Sequence, residues 1–579
     1  MFKQAKKIFG MMEPGAKRWI PFFIVLMFIG AFLDSISVSL MLPLLTTIEY
    51  EEGWNTSWYA KAICNAFQIQ DRSDYLIAIL LMIALIFIVK NIYMVLEYHL
   101  QNLFIHRQLY YCKRKLFGAY LDKPYTYFLN ANTMECIRII SSDTSQTFAA
   151  LQNFLTFCTE GIVCLVLAIT VFIISPEIAL FMSIVLLCEV LFLALKVKAL
   201  MIKSGETMRM EHSACDKWVS QGIEGIKIVK VSSSKEYVLN EFSKHLIKHC
   251  KADAMYKLLD TLPRRILEAI TIASVMLFLI GHIMMGGMLE TMLPQLAALV
   301  VAAVRLLPSA NSLSQRINFV PFAEGAVNNL LGVLGNEKNE DSKKVEIDRH
   351  LNQKIQFKKE ICGKDICYSY PNSSVNVLEH ANIAIHKGQA VGIVGLSGAG
   401  KTTLMDILLG LLTPEKGQIT VDGIDIHNNL PQWFSLLAYI PQQIFLTDDT
   451  IRNNIAFGEP SDTIKDEKIW TVLAEAQLDT FVQSLPDGLE TEVGERGIRL
   501  SGGQRQRMGI ARALYRDPEL LLFDEATSAL DNETEKAVME AIDKLKGKRT
   551  IVIIAHRLTS LDNCDIIYRV ENHSVVKER

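Results

Sequence analysis

The stretch Gly395-Leu396-Ser397-Gly398-Ala399-Gly400-Lys401-Thr402 decides the reading of this chain. It fits GxxxxGK[ST] and follows an apolar run, Ala390–Val394, that reads as a buried strand, while a helical pattern through Leu411 follows it. Glycines at this spacing let backbone N–H groups close around phosphates, and the helix N-terminus adds positive potential. Lys401 is placed to reach the terminal phosphates, Thr402 is the expected Mg2+ ligand, and Thr403 is grouped with the nucleotide-binding residues. A Gly-rich turn that holds no nucleotide is the competing reading, and the flanking strand and helix weigh against it.

Outward along the chain, Leu520–Phe523 reads as a second buried strand, ending in Asp524-Glu525. Open α/β sheets bind ligands at the C-terminal edge of their strands, which is where these two carboxylates fall. Asp524 is expected to hold Mg2+ and Glu525 to orient or deprotonate an attacking water. From about Gln353 to Arg579, β-rich runs alternate with helical ones, the pattern of a parallel sheet with crossover helices.

The first half is of another kind. Apolar stretches at Trp19–Leu45, Tyr75–Glu97, Leu155–Ile174, Ile178–Leu195, Ile266–Met285 and Leu289–Leu307 mostly approach or exceed the roughly 20 residues that cross about 30 Å of hydrocarbon. They are read as six membrane helices. Ser175-Pro176-Glu177 supplies an N-cap, a proline at the first helical position and an acid in the first turn, so the third and fourth form a tight hairpin. Lys and Arg concentrate in the N-terminus, in Arg107–Lys123 and in Lys196–Arg265, whereas the loop after the first helix begins Glu49-Tyr50-Glu51-Glu52. Both termini are therefore expected in the cytoplasm, with the helices continuing well beyond the bilayer. A charged linker beginning Gly335-Asn336-Glu337-Lys338 separates the halves. The expected division is a transmembrane domain over 1–330, a linker over 331–352 and an α/β P-loop NTPase domain over 353–579.

Composition agrees. Of 579 residues, 50% are hydrophobic and 21% charged, and the mean hydropathy is +0.23. Disorder, collagen and coiled coil are excluded, and a net charge of −3 excludes a chromatin-style nucleic-acid binder. The 11 cysteines show no paired CxxC pattern and read as core and membrane residues in a reducing context. The first apolar run is too long for a signal-peptide core.

Leu500-Ser501-Gly502-Gly503-Gln504 resembles the signature motif of ATP-binding-cassette (ABC) proteins, and in combination with the P-loop and Asp524-Glu525 it extends that resemblance over 353–579. The resemblance implies ATP and Mg2+ as cofactors and assigns further roles. Tyr370 resembles the aromatic residue that stacks on adenine, and Gln442 the glutamine that links magnesium to the membrane domain. Ser528-Ala529-Leu530-Asp531 resembles the D-loop, and His556 resembles the switch histidine that contacts the γ-phosphate. Taken alone, a histidine at a strand end is more often structural. Thr491–Gly497 looks like the loop of the exporter branch, and the membrane half resembles the six-helix exporter architecture, in which Tyr125–Ser142 and Gly222–Phe242 match the two loops that carry coupling helices. Each site in this family lies between the P-loop of one subunit and the signature of another, so a domain-swapped homodimer is expected.

Ser35–Pro43, Leu262-Pro263-Arg264 and Arg305–Asn311 are similar to the PglK-type flippases of lipid-linked oligosaccharides in bacterial protein glycosylation. That resemblance implies a bacterial inner-membrane location and a membrane lipid or lipid-linked glycan as substrate. It also implies that Lys90, Arg264 and Arg305 line a path for a diphosphate-bearing lipid. The bland readings are snorkelling for Lys90 and a salt bridge for Arg305. The aromatic set Trp54, Trp58, Tyr59, Ile63 and Phe67 is read first as an interfacial anchor and second as a contact for a lipid tail. Two rival functions remain: export of hydrophobic drugs, lipids or peptides, and a membrane-tethered ATPase that transports nothing. The second is disfavoured because Lys401, Gln504, Glu525 and His556 are all present, and leader-bearing peptides because no N-terminal peptidase domain is seen.

Overall fold

The computed structural model describes residues 2–40, 44, 61, 64–65, 68–69, 71–174, 176–284, 308–313, 315–316, 319, 323–335, 355–371, 373, 375–525, 532–555 and 561–579. These divide into two units: Met1–Asp122 with Asn132–Glu337, and Lys123–Ala131 with Lys338–Arg579. The helices of the first half include α1 (Phe2–Met11), α2 (Ile20–Ser39), α3 (Arg72–Leu121), α4 (Tyr125–Asn130), α5 (Thr144–Ile174), α6 (Pro176–Glu224), α7 (Ile226–Val231) and α8 (Lys235–Met284), with a short helix over Thr133–Arg138 and a π-turn over Ile139–Asp143 leading into α5.

In the first unit, α1 buries Ala5, Ile8 and Met11 at helical spacing and leaves Lys3 and Lys6 exposed. Three helices among the described residues are long and apolar enough to cross a membrane: Ala16–Ser37, Arg72–Leu121 and Thr133–Ile169. Their faces are inverted relative to a water-soluble bundle. Phe32, Leu81 and Ile92 are 62%, 66% and 64% exposed, while Asp34, Ser37, Lys90, Glu97 and Gln101 are buried. Apolar side chains outward and polar ones inward is the arrangement that lipid as solvent selects. Helices α3, α6 and α8 have 50, 49 and 50 residues. At a 1.5 Å rise each reaches about 75 Å, far beyond about 30 Å of hydrocarbon, as the spacing in the basic connections predicts. Helix α6 opens on Pro176, whose missing N–H costs nothing at a first helical position. The sixth apolar stretch, Leu289–Leu307, lies outside the described residues, as do Trp54, Trp58, Tyr59, Ile63 and Phe67.

The second unit holds two sheets, where the sequence pattern predicts one. Strands β1 (Glu360–Ser369), β2 (Asn376–His386), β3 (Ala390–Gly395), β4 (Lys416–Val421), β5 (Ile424–Asp425), β6 (Leu437–Ile440), β7 (Leu520–Asp524), β8 (Thr550–Ile554), β9 (Ile566–Glu571) and β10 (Ser574–Lys577) pair in the orders β2-β1-β4-β5 and β10-β9-β3-β8-β7-β6. The first sheet is antiparallel throughout. Its β1 and β2 are joined by 370–375, too short for the crossover that parallel strands need. In the second sheet β9, β3, β8, β7 and β6 run parallel, and β10 closes the edge as a hairpin with β9. Helix α9 (Lys401–Leu409) follows β3, α10 (Gly502–Tyr515) precedes β7, and α11 (Asn532–Asp543) leads to β8. Helix α4 belongs to this unit and not to the helices that flank it in sequence.

Candidate functional site

The phosphate loop lies between β3 and α9, and its shape depends on glycine. Gly400 caps the helix with φ +103°, and a Cβ there would stand 3.0 Å from Val377 Cγ1 and 3.3 Å from the Val377 carbonyl oxygen. The loop backbone is thus pressed close to β2, in a conformation that L side chains rarely adopt. Lys401, 5% exposed, turns back over the loop, and its ammonium donates to the carbonyls of Gly395 and Leu396, each at 3.0 Å. A cavity of about 520 Å3 opens beside Gly395, Ser397 and Gly398 and is lined as well by Val375, Arg569 and Asn572. Glycine backbone, a helix N-terminus and a lysine in one cradle are the donor set that nucleotide phosphates require.

At the ends of the parallel strands stand the acids. Asp524, on the last residue of β7, is 6% exposed and accepts a hydrogen bond from the Tyr439 hydroxyl at 3.3 Å. Glu525 follows in the left-handed region, φ +48°, and its N–H donates to the Ile554 carbonyl at 3.0 Å, turning the chain off the strand. Its carboxylate accepts from Gln442 Nε2 at 2.7 Å. Thr402 is exposed in the first turn of α9. Thr402, Gln442 and Asp524 supply oxygen donors of the kind that hold Mg2+.

Tyr370 is hydrogen-bonded through its hydroxyl to Thr403 Oγ1 at 2.9 Å and meets Tyr368 edge-on at 5.3 Å. Thr403 therefore supports the aromatic residue from within α9, a link absent from any linear motif. Asp406, one turn further along α9, is 7% exposed, and burial, followed by the charge of Asp524, pushes its carboxyl up to about 6. Tyr125 of α4 is raised by burial and then by Asp406 and Tyr370, which places α4 against this side of the unit.

The signature segment begins α10 with a capping box. Ser501 Oγ accepts from Gln504 N–H at 3.3 Å, and Gln504 Oε1 accepts from Ser501 N–H at 2.7 Å, with Gly502 and Gly503 opening the helix between them. Arg512, further along α10, donates to the Asn454 carbonyl, to Asn454 Oδ1 and to the Phe445 carbonyl at 2.6–2.8 Å. It binds the signature helix to the segment after Gln442, and burial lowers its guanidinium to about 10. Sequence reasoning passed over Arg512 because its acceptors lie 58 and 67 residues away. Asp531 and His556 lie outside the described residues.

In the membrane unit, Lys90 is 2% exposed and its ammonium is paired with Asp34 on α2. Arg264 falls within α8, and Arg305 lies outside the described residues.

Residues 378–528 match the family model "ABC transporter", and residues 52–293 match "ABC transporter transmembrane region". The ATP-dependent lipid A-core flippase of Francisella novicida is 30% identical over 485 residues, 81% of this chain and 78% of that protein. The flippase of the same description from Methylobacillus flagellatus is 30% identical over 381 residues, 65% of this chain and 62% of the relative. The heterocyst differentiation ATP-binding protein HepA of Nostoc is 29% identical over 466 residues, 78% and 73% of the two chains. The fold and the site define an ATPase coupled to transport across a membrane. The chain belongs to the ABC transporter family and joins a transmembrane region of that family to its ATP-binding domain, as exporters do.

Proposed function

We propose that this chain, as a homodimer in a bacterial inner membrane, uses ATP hydrolysis to carry a phosphate-bearing glycolipid from the cytoplasmic to the outer leaflet. A polyprenyl-diphosphate oligosaccharide is the favoured cargo. The observation that carries the ATPase part is the hydrogen bond from Gln442 to Glu525 beside the phosphate loop. It holds a carboxylate at the C-terminal edge of the parallel strands, ready to accept a proton from water. Asp524, Thr402 and Gln442 would hold Mg2+, which supplies charge neutralisation of the phosphates when bound. Lys401 binds and orients the terminal phosphates, Tyr370 the base, and Ser501 offers a partner subunit's nucleotide the N-terminus of α10. Asp531 and His556 complete the set by their motif positions.

For the cargo, the relatives described as lipid A-core flippases support a lipid with an anionic, sugar-bearing head. The short strings shared with lipid-linked oligosaccharide flippases support the diphosphate. Lys90, Arg264 and Arg305 are the proposed cations along its path. Lys90 is held by Asp34 in the described conformation, so a phosphate would reach it by taking the place of that carboxylate. One anion then replaces another on Lys90, and the released Asp34 carboxylate would have to take up a proton or meet water to avoid standing unpaired in a low-dielectric interior. Six spans, cytoplasmic termini and the exchange of sites between two copies are parts of the same proposal, supported by the hydropathy and charge pattern. Export of drugs or other lipids is the second reading, since the same nucleotide site serves either cargo.

The test is ATPase stimulation and flipping in proteoliposomes. Polyprenyl-diphosphate glycans, lipid A-core lipids and neutral drugs are compared at matched concentrations. Stimulation by the diphosphate lipid above the other two supports the reading. Stimulation by drugs alone moves it to the second.

A further inference from the structure

A second cavity lies far in sequence from the nucleotide loop. Between α1 and α2 the chain turns at Gly15, φ +94°, into a short 3-10 turn, Ala16–Trp19, before the first span begins at Ile20. This turn and the facing stretch of α3 enclose a cavity of about 450 Å3 lined by Glu13–Ala16, Arg18, Trp19, Phe22, Phe23, Leu100, Leu103, Phe104, Arg107 and Gln108. That volume lies within the range of ordinary small-molecule sites.

The cavity has two unlike walls. The apolar wall exposes Trp19, Phe22 and Leu103 by 53%, 43% and 55%, with Trp19 and Phe22 edge to face at 5.6 Å. Phe23 backs them, packed on Phe104 at 5.1 Å. On the polar wall, Glu13 accepts from Arg107 through both carboxylate oxygens, at 3.2 and 3.3 Å, and its N–H donates to Gln108 Oε1 at 3.0 Å. That acid is therefore neutralised in place. Arg18 is exposed and has no carboxylate partner among the described residues, and Lys17 beside it is exposed as well. The cavity thus carries net positive charge at its mouth and exposed rings on its side. It stands where the first apolar span starts, and the start of a span is where Trp and Arg are at home between hydrocarbon and headgroups.

The walls are also built firmly. Ile8, Met11, Met12 and Ala16, from α1 and the turn, share one buried cluster with Phe23, Ile105, Cys112 and Leu330. Lys7 Nζ further donates to Asn328 Oδ1 at 3.0 Å. The turn is thereby fixed against three other helical segments, so the ligand would meet a preformed site.

We propose that this cavity binds one anionic phospholipid of the surrounding bilayer, with the phosphate at Arg18 and the acyl chains along Trp19, Phe22 and Leu103. A zwitterionic lipid offers the same chains, but the ammonium of its headgroup opposes the charge of Arg18. One uncompensated cation near a membrane surface gives roughly a fivefold preference for the anionic lipid. The site is independent of the cargo, because none of these residues belongs to the nucleotide site or to the proposed path.

The test uses full-length protein in nanodiscs containing brominated phosphatidylglycerol or brominated phosphatidylcholine with identical chains. The chain has six tryptophans, so the Trp19 signal is taken as the difference between wild type and Trp19→Phe. Half-quenching of that signal is expected at about a fivefold lower fraction of brominated phosphatidylglycerol, and Arg18→Gln should bring the two lipids level. Native mass spectrometry of wild type and Arg18→Gln gives a readout that does not depend on Trp19, with fewer phosphatidylglycerol molecules retained by the variant. Equal quenching by both lipids in wild type, or an anionic preference that survives Arg18→Gln, overturns the proposal. Unchanged ATPase turnover in Arg18→Gln establishes that the variant is folded.

Discussion

Replacing Glu525 by Gln separates chemistry from architecture. The side chains are nearly isosteric, and an amide oxygen at position 525 still accepts the hydrogen bond that Gln442 Nε2 now gives the carboxylate at 2.7 Å. The backbone cost is equal, because Glu and Gln pay the same penalty at φ +48° and the N–H bond to Ile554 is a main-chain feature. What disappears is the capacity to take a proton from water. A positioned general base contributes about 10²–10⁴ to rate, or about 3–5 kcal/mol of barrier, and turnover should fall by that factor. ATP affinity should stay within a few-fold of wild type, since nothing that touches the phosphates has moved. Lys401→Ala should give the opposite pattern, with weakened binding, because it removes a cation and also releases the Gly395 and Leu396 carbonyls that the ammonium now ties. Phosphate release in nanodiscs measures turnover, and a fluorescent ATP analogue measures binding. An E525Q variant that turns over within tenfold of wild type refutes the assignment of the base.

Gly400→Ala should lower ATP affinity by tenfold or more, measured by the same analogue, because a left-handed backbone costs an alanine about 1–3 kcal/mol and its Cβ meets Val377. Asp406→Asn should raise thermal stability at pH 7.5 in Mg2+-free buffer. Burial, and then the charge of Asp524, push its carboxyl up from the ordinary 3.8 to about 6, so its ionisation disfavours the folded state by up to about 3 kcal/mol, and the cost builds up as pH rises from about 4 to 6. The advantage of the variant should therefore vanish at pH 4, and an equal advantage at both pH values would contradict the burial argument. Lys90→Gln alone should destabilise the membrane unit by about 3–5 kcal/mol, by stranding buried Asp34, while Asp34→Asn with Lys90→Gln should restore a folded protein. In that double background, with Arg305→Gln added, flipping of a polyprenyl-diphosphate glycan should be lost and basal ATPase retained; undiminished flipping would remove the charge mechanism.

The nucleotide half was legible because its chemistry is local. A phosphate cradle needs glycine at fixed offsets from a lysine, and the strand before it and the helix after it are continuous in sequence. The same locality made Asp524-Glu525 readable as two acids at the end of a strand, whereas the capping box between Ser501 and Gln504 emerged only from the structure. The antiparallel sheet was not legible in this way. Its strands alternate in burial much as an edge strand of a parallel sheet would, and only the short 370–375 connection separates the two arrangements. Arg512 stayed hidden for a different reason: an arginine on an amphipathic helix is ordinary, and its importance lies in carbonyls that only folding brings to it.

In the membrane half hydropathy picks out apolar stretches, three of which lie in helices long and apolar enough to cross a bilayer among the described residues, whereas the pairing of charges inside is a three-dimensional fact. Lys90 and Asp34 are 56 residues apart and on different helices, so a scan for cations in apolar stretches finds the lysine and misses what neutralises it. The difference bears on mechanism. A lone lysine would be an attractive well for any anion and would hold it tightly, whereas a lysine already paired gives up its own carboxylate before it can take a phosphate, and the cost of leaving Asp34 unpaired weakens the hold on the cargo. A carrier that must release its cargo on the far side is better served by the second arrangement. On the proposed anion path, Asp34, which carries the wrong sign for an anion, would then belong to the charge mechanism as fully as the cations do.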